Sequence, residues 1–174
     1  MSELREGIFR LQTRRFGNVA EILVKKLLKA LDSTDNSYDI KDGDVKIECK
    51  FSRALSESKI KVTDTTVLQA IYHESNRDIA YEGCENFKWD CNFQQIKKDL
   101  FDVLFYGIFF SDYLVIYKIP SGEIDENIKY CNKQHRGNTG EGQFHITNSN
   151  IELHSKYLYS LLSYEDIEKC LKLH

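Results

Sequence analysis

The chain has 174 residues and a mass of 20.4 kDa, enough for one three-layer core and too little for two domains of ordinary size. With 41% hydrophobic and 12% aromatic residues, one proline and nine glycines, it falls outside the collagen-like, low-complexity and extended disordered classes. A net charge of −3 excludes a protein that grips nucleic acid by bulk positive charge, so any phosphate contact must come from local patches.

The N-terminus, Met1-Ser2-Glu3-Leu4-Arg5-Glu6, has no apolar signal-peptide region. No later stretch approaches the roughly 20 uncharged apolar residues that span a bilayer. A cytoplasmic protein without membrane contact is therefore expected. The stretch from Glu3 to Phe16 is largely polar and basic at its end, and Arg10, Arg14 and Arg15 predict a helix with one basic side. Gly17 is expected to interrupt it. Val19, Ile22, Leu23, Leu27, Ala30 and Leu31 then recur at helical spacing and predict a second helix from Asn18 to about Asp32.

Residues 37 to 51 form two alternating runs joined by Asp42-Gly43, which predicts a hairpin with those two residues in the turn. In that register Lys41 faces Asp44, and Asp39 faces Lys46. Tyr38, Ile40, Val45, Ile47, Cys49 and Phe51 share the core face, and Asp39, Lys41, Asp44, Lys46, Glu48 and Lys50 share the other. Asp64 to Glu74 reads as a helix with Asp64 as its N-cap, and a third strand is expected somewhere in residues 57–90. Phe93, Ile96, Leu100, Phe101, Val103 and Leu104 predict a long helix over Asn92 to Tyr106. The apolar run from Tyr113 to Ile119, ended by Pro120, predicts a buried central strand. Residues 131–150 read as a Gly/Asn-rich loop with a short strand, and Ser163-Tyr164-Glu165-Asp166 opens a last amphipathic helix through Ile167, Cys170 and Leu171. Five cysteines, an odd number without a Cys-x-x-Cys pair, speak against a disulfide framework and a structural zinc site.

The chemistry sits on the polar face of the hairpin. Magnesium takes hard oxygen ligands and keeps several waters, so two carboxylates such as Asp39 and Glu48 suffice to hold it beside a phosphate. Lys50, two residues beyond Glu48 on the same face, places an ammonium where it can orient water and offset charge building on that phosphate. The alternative is a solvated strand face on which lysines and acids merely pair. The position of the hairpin between a long apolar helix and a later buried strand favours the site.

Asp39, eight intervening residues and then Glu48-Cys49-Lys50 resemble the Asp…Glu-x-Lys signature of the PD-(D/E)xK nucleases, which include most type II restriction endonucleases and several resolvases. Gly17-Asn18-Val19-Ala20-Glu21 is similar to the Gly-x-x-x-Glu start of that family's first helix, whose acidic residue often joins the metal site. The resemblance gives Glu21 an assisting catalytic and metal-binding role beside Asp39, Glu48 and Lys50. Tyr38 stands where the family name has Pro. Two structural alternatives remain for Glu21: a capping box with Asn18, and an ion pair with Lys25 one turn on.

The resemblance implies an α/β fold with a restriction-endonuclease-like α-β-β-β-α-β core and a mixed central sheet flanked by helices. That core covers roughly Phe16 to Ile119 of a single domain spanning residues 1–174, with residues 120–174 as a C-terminal elaboration. It further implies magnesium-dependent hydrolysis of double-stranded DNA, sequence-specific as in type II restriction endonucleases. One centre per chain suggests a homodimer that cuts both strands. The alternatives are a junction-resolving or repair nuclease of the same fold, and a non-catalytic DNA-binding or interaction module. Arg14, Arg15, Arg53, Lys133 and Arg136 are candidate DNA contacts, although exposed basic residues are ordinary on any surface. His73, His145 and His154 lack metal-ligand spacing and are assigned no chemistry.

Overall fold

The computed structural model describes residues 3–33, 35, 37–57, 59–133 and 139–172. Two helices, α1 (Glu3–Arg10) and α2 (Thr13–Leu28), precede β1 (Leu31–Asp32), β2 (Ile40–Asp42) and β3 (Val45–Arg53). A long crossover carrying α3 (Val67–Ser75) and β4 (Asp90–Ile96) leads to β5 (Val103–Phe109) and β6 (Tyr113–Pro120). The chain continues through β7 (Cys131–Lys133), β8 (Thr139–Thr147), β9 (Leu158–Ser163) and α4 (Tyr164–Lys172).

A six-stranded sheet has the order β1-β2-β3-β5-β6-β9, and a three-stranded sheet has the order β4-β8-β7. The larger sheet is mixed, with β3 and β5 parallel and its other neighbours antiparallel. On one face Ile40, Ile47, Cys49, Phe105, Phe109 and Ile116 pack with Phe16, Leu23 and Val24 of α2 and Ile167 of α4. On the other, Leu104, Tyr106, Ile108 and Tyr117 pack with Cys91 and Phe93 of β4 and Phe144 and Ile146 of β8. Because β5 and β6 are covered on both faces, they read as nearly unbroken apolar runs. The large apolar side chains on these strands each contribute about 1.5–3 kcal/mol by burial.

The α/β class, the mixed sheet and the strand over Tyr113 to Ile119 agree with expectation; several elements do not. The first helical break falls at Leu11-Gln12, and Gly17 lies inside α2. That helix stops at Leu28, before Asp32. Lys29 turns left-handed at φ 55, with Lys29 N–H on Lys26 O and Ala30 N–H on Lys25 O, a Schellman ending. The third helix begins at Val67 rather than Asp64, with Thr66 rather than Asp64 at its N-cap position. The last helix begins as expected: Asp166 N–H donates to Ser163 Oγ at 3.2 Å, and Ser163 N–H donates back to Asp166 Oδ2 at 3.3 Å.

The helix expected over Asn92 to Tyr106 is absent, and two strands, β4 and β5, occupy its place. The strand that pairs with β3 in the larger sheet is β5, not a segment of residues 57–89, where α3 and single bridges at Asp78 (to Leu55) and Trp89 (to Ser56) are found instead. Phe110 N–H donates to Tyr113 O at 2.8 Å, so β5 turns directly into β6 with no helix between them. The expected α-β-β-β-α-β order thus differs from the observed one at its second helix.

Candidate active site

The hairpin forms, but its turn is shifted by one residue. Asp42 pairs with Val45 and Lys41 with Lys46, leaving Gly43 and Asp44 in the turn. Glycine takes the first central position at φ 61, where a two-residue turn with one left-handed residue requires it. The shift changes every partner but no face, because it moves the register by two residues in sum. Asp39 lies just before β2 and does not face Lys46, whose partner is Lys41. Tyr38, outside the strand, departs from the core face expected for it: it packs against the opposite cluster, with Lys46 Nζ 5.9 Å from its ring centroid.

Backbone hydrogen bonds fix Asp39. Its N–H donates to Ile47 O at 3.0 Å, and its Oδ2 accepts from Cys49 N–H at 2.8 Å. Since Cys49 lies between Glu48 and Lys50 in sequence, this bond holds the Asp39 carboxylate beside both side chains. Lys50 Nζ sits 2.5 Å from Glu48 Oε1, and the two side chains are 26% and 13% exposed.

Burial raises the Glu48 carboxyl above its usual range, with Asp39 and Glu21 adding to the effect and Lys50 opposing it. For Lys50 burial favours the neutral amine, but the charge of Glu48, its hydrogen bond and Asp39 outweigh that, so the ammonium is held more firmly than usual. Glu21, half-buried on α2, is raised by burial and then by Asp39, with Lys50 opposing. The Cys49 thiol is pushed well up by burial and by all three carboxylates. Glu21, Asp39, Glu48 and Lys50 therefore share one local field. Neither structural alternative for Glu21 applies: Asn18 lies within α2, where it caps nothing, and Lys25 Nζ pairs with Asp32 Oδ1 at 2.5 Å.

Asp39, Glu48 and Lys50 open into a cleft of about 360 Å³ with Ser37, Leu100 and Phe101. Its other lining residues, Gln95, Lys97 and Glu141, come from the smaller sheet and the turn after β4. These three carried no signal in the sequence, because β4 and β8 are brought to the hairpin only by tertiary packing. Among the described residues no group of three or more His, Cys, Asp or Glu side chains is arranged to hold a metal ion. The smaller hard-oxygen set of Asp39 and Glu48 still fits magnesium, which keeps most of its water and takes further oxygens from phosphate.

The candidate DNA contacts are scattered. Arg14 and Arg15 are exposed in the first turn of α2. Arg14, seven residues before Glu21, shares its helix face at roughly 10 Å along the axis, while Arg15 points elsewhere. Arg53 is engaged in packing: its Nη2 donates to Leu11 O at 2.6 Å and its guanidinium lies 4.0 Å from the Phe16 ring centroid. That ties β3 to the junction of α1 and α2 and removes Arg53 as an available phosphate contact. Lys133 is exposed at the end of β7, and Arg136 lies outside the described residues. His154 is a buried core residue, its Nδ1 3.0 Å from Tyr106 Oη and its pKa lowered by burial to about 4.

No protein-family model matches this chain, and neither a curated protein nor a solved structure is similar to it.

Proposed function

We propose that the chain is a magnesium-dependent endodeoxyribonuclease that hydrolyses phosphodiester bonds of double-stranded DNA, of the sequence-specific restriction type. One observation carries this reading: the Asp39 carboxylate, anchored on Cys49 N–H, lies beside the Glu48–Lys50 pair in a cleft open to substrate. On this reading α2, the β2–β3 hairpin, β5 and β6 serve as the restriction-endonuclease-like core, with the helix between the last two strands missing.

Asp39 and Glu48 would hold the magnesium, with Glu21 adding negative charge from α2. The ion supplies Lewis acidity toward a phosphoryl oxygen and a more acidic bound water. Lys50, kept cationic by its acidic neighbours, donates from Nζ to the attacking water or to a non-bridging oxygen and stabilises charge that grows on the phosphate. Water adds to phosphorus and gives up a proton to solvent, the P–O3′ bond breaks, and the 3′ oxygen leaves with a proton taken from solvent.

The test is incubation with plasmid and phage DNA, in magnesium and in chelator, beside Lys50→Ala. Discrete fragments that require metal, with a rate about 10²–10³-fold lower in the variant, are the expected outcome. A smear in place of fragments would point to a repair or junction-resolving role. DNA left intact by the wild type in magnesium overturns the proposal and leaves a binding module.

A further inference from the structure

The cleft has two walls, and the chemistry above uses only one. On the opposite wall, β4 turns Cys91 and Phe93 into the apolar layer, and unbroken alternation would turn Gln95 inward after them. A bulge prevents this. Phe93 pairs with Phe144 and Ile96 with Gly142, so Gln94 and Gln95 stand against the single residue Gln143. Ile96 takes the buried place, while Gln95, exposed and left-handed at φ 58, faces the cleft.

The bulge is buttressed. Tyr130 Oη donates to Ile96 O at 3.2 Å, and a Cβ at Gly142 would collide with the Tyr130 side chain. An exposed non-glycine residue in the left-handed region gains nothing from core packing, and such outliers gather at functional sites.

Just beyond the bulge, Lys97 Nζ lies 3.0 Å from Glu141 Oε1, with side chains 48% and 25% exposed. A pair this open adds little to stability. Its effect on charge is larger: the cleft lining holds three carboxylates (Asp39, Glu48, Glu141) against two ammonium groups, Lys50 bound at 2.5 Å to the part-buried Glu48 and Lys97 bound less closely, at 3.0 Å, to Glu141. A polyanion entering between these walls needs a cation on the side facing the hairpin, and Lys97 is the lysine placed there.

Resting on the nuclease reading, we propose that the β4–β8 wall is a clamp for the backbone of the DNA strand being cut. Lys97 pairs with a non-bridging oxygen of a phosphate neighbouring the scissile one. The Gln95 side-chain amide donates to the same strand, and Glu141 holds Lys97 in place as a phosphate surrogate until DNA displaces it.

The experiment combines anisotropy of a labelled DNA duplex in chelator, over a series of salt concentrations, with initial cleavage rates in magnesium. Lys97→Ala is expected to weaken binding and raise KM about tenfold, leave kcat within about twofold, and lower the slope of log K against log salt by about 1. Glu141→Gln is expected to tighten binding, and to lose that effect in the Lys97→Ala background. Gln95→Gly, which relieves the left-handed backbone, is expected to raise the thermal midpoint and KM together. Lys97→Met gives the same readouts should Lys97→Ala fold poorly.

A merely structural ion pair predicts that Lys97→Ala and Glu141→Gln act alike; that result, or an unchanged salt slope, overturns the clamp while wild-type cleavage keeps the nuclease reading intact. A wild type that neither binds nor cuts DNA overturns both.

Discussion

Burial and the Asp39 charge raise the Glu21 carboxyl, so its ionised form is less comfortable in the folded chain than in the unfolded one. A carboxyl shifted in that direction stabilises the fold below its unfolded pKa, near 4.3, and the contribution disappears as pH rises through the higher folded value. Glu21→Gln should therefore raise stability at pH 7 by a few tenths of a kcal/mol, the small figure reflecting solvent screening of a half-exposed group. The gain should vanish by about pH 3.5, where both side chains are neutral. Chemical denaturation at the two pH values checks this; an equal gain at both, or a loss at pH 7, would contradict the charge argument. If the proposed function holds, the same variant should cleave DNA more slowly, the usual relation where a site concentrates like charge. Asp39, Glu48 and Lys50 were legible as one face from alternation alone, because the turn shift moved partners without moving faces. The Asp39 bond to Cys49 N–H was not legible, since it depends on where β2 begins.

Strands β4 and β5 together show why periodicity misled between Asn92 and Tyr106. Phe93 and Ile96 are three apart because a bulge inserts a residue, and Val103 and Leu104 are adjacent because β5 is packed on both faces; together they imitate a helical stripe. Tyr113 to Ile119 was read correctly since a run that short, closed by proline, leaves no room for a helix of ordinary length. In the centre of β5, Gly107 marks where backbones and rings come closest. A Cβ there would meet the Phe51 ring and lie 2.7 Å from Val115 O, between strands paired on both sides. Gly107→Ala should cost about 1–3 kcal/mol as overpacking, or about 2–10 °C in the thermal midpoint. Gly43→Ala meets nothing within 4 Å and is disfavoured only by its φ of 61, so a smaller loss of about 1 kcal/mol is expected. A Gly107→Ala midpoint equal to that of the wild type would show that Phe51 moves aside freely.

At the scale of the whole molecule, the cleft joins a hairpin near residue 45 to strands centred near residues 93 and 143, a proximity that no local pattern encodes. This is why one wall could be read and the other could not. Each chain carries one cluster of Asp39, Glu48 and Lys50, whereas a duplex has two strands to cut. If the proposed function holds, a single chain can break one strand per encounter, and a double-strand break needs either two encounters or two chains related by a two-fold axis that matches the symmetry of the duplex. The routes differ in their dependence on protein concentration. Supercoiled plasmid should pass through a nicked circle at low protein and go directly to linear product at high protein. The changeover should fall at the concentration where the sedimenting mass doubles from 20.4 kDa. Direct linear product persisting at concentrations where only the single-chain mass sediments would rule out the dimer and require a second cut before the chain leaves the DNA.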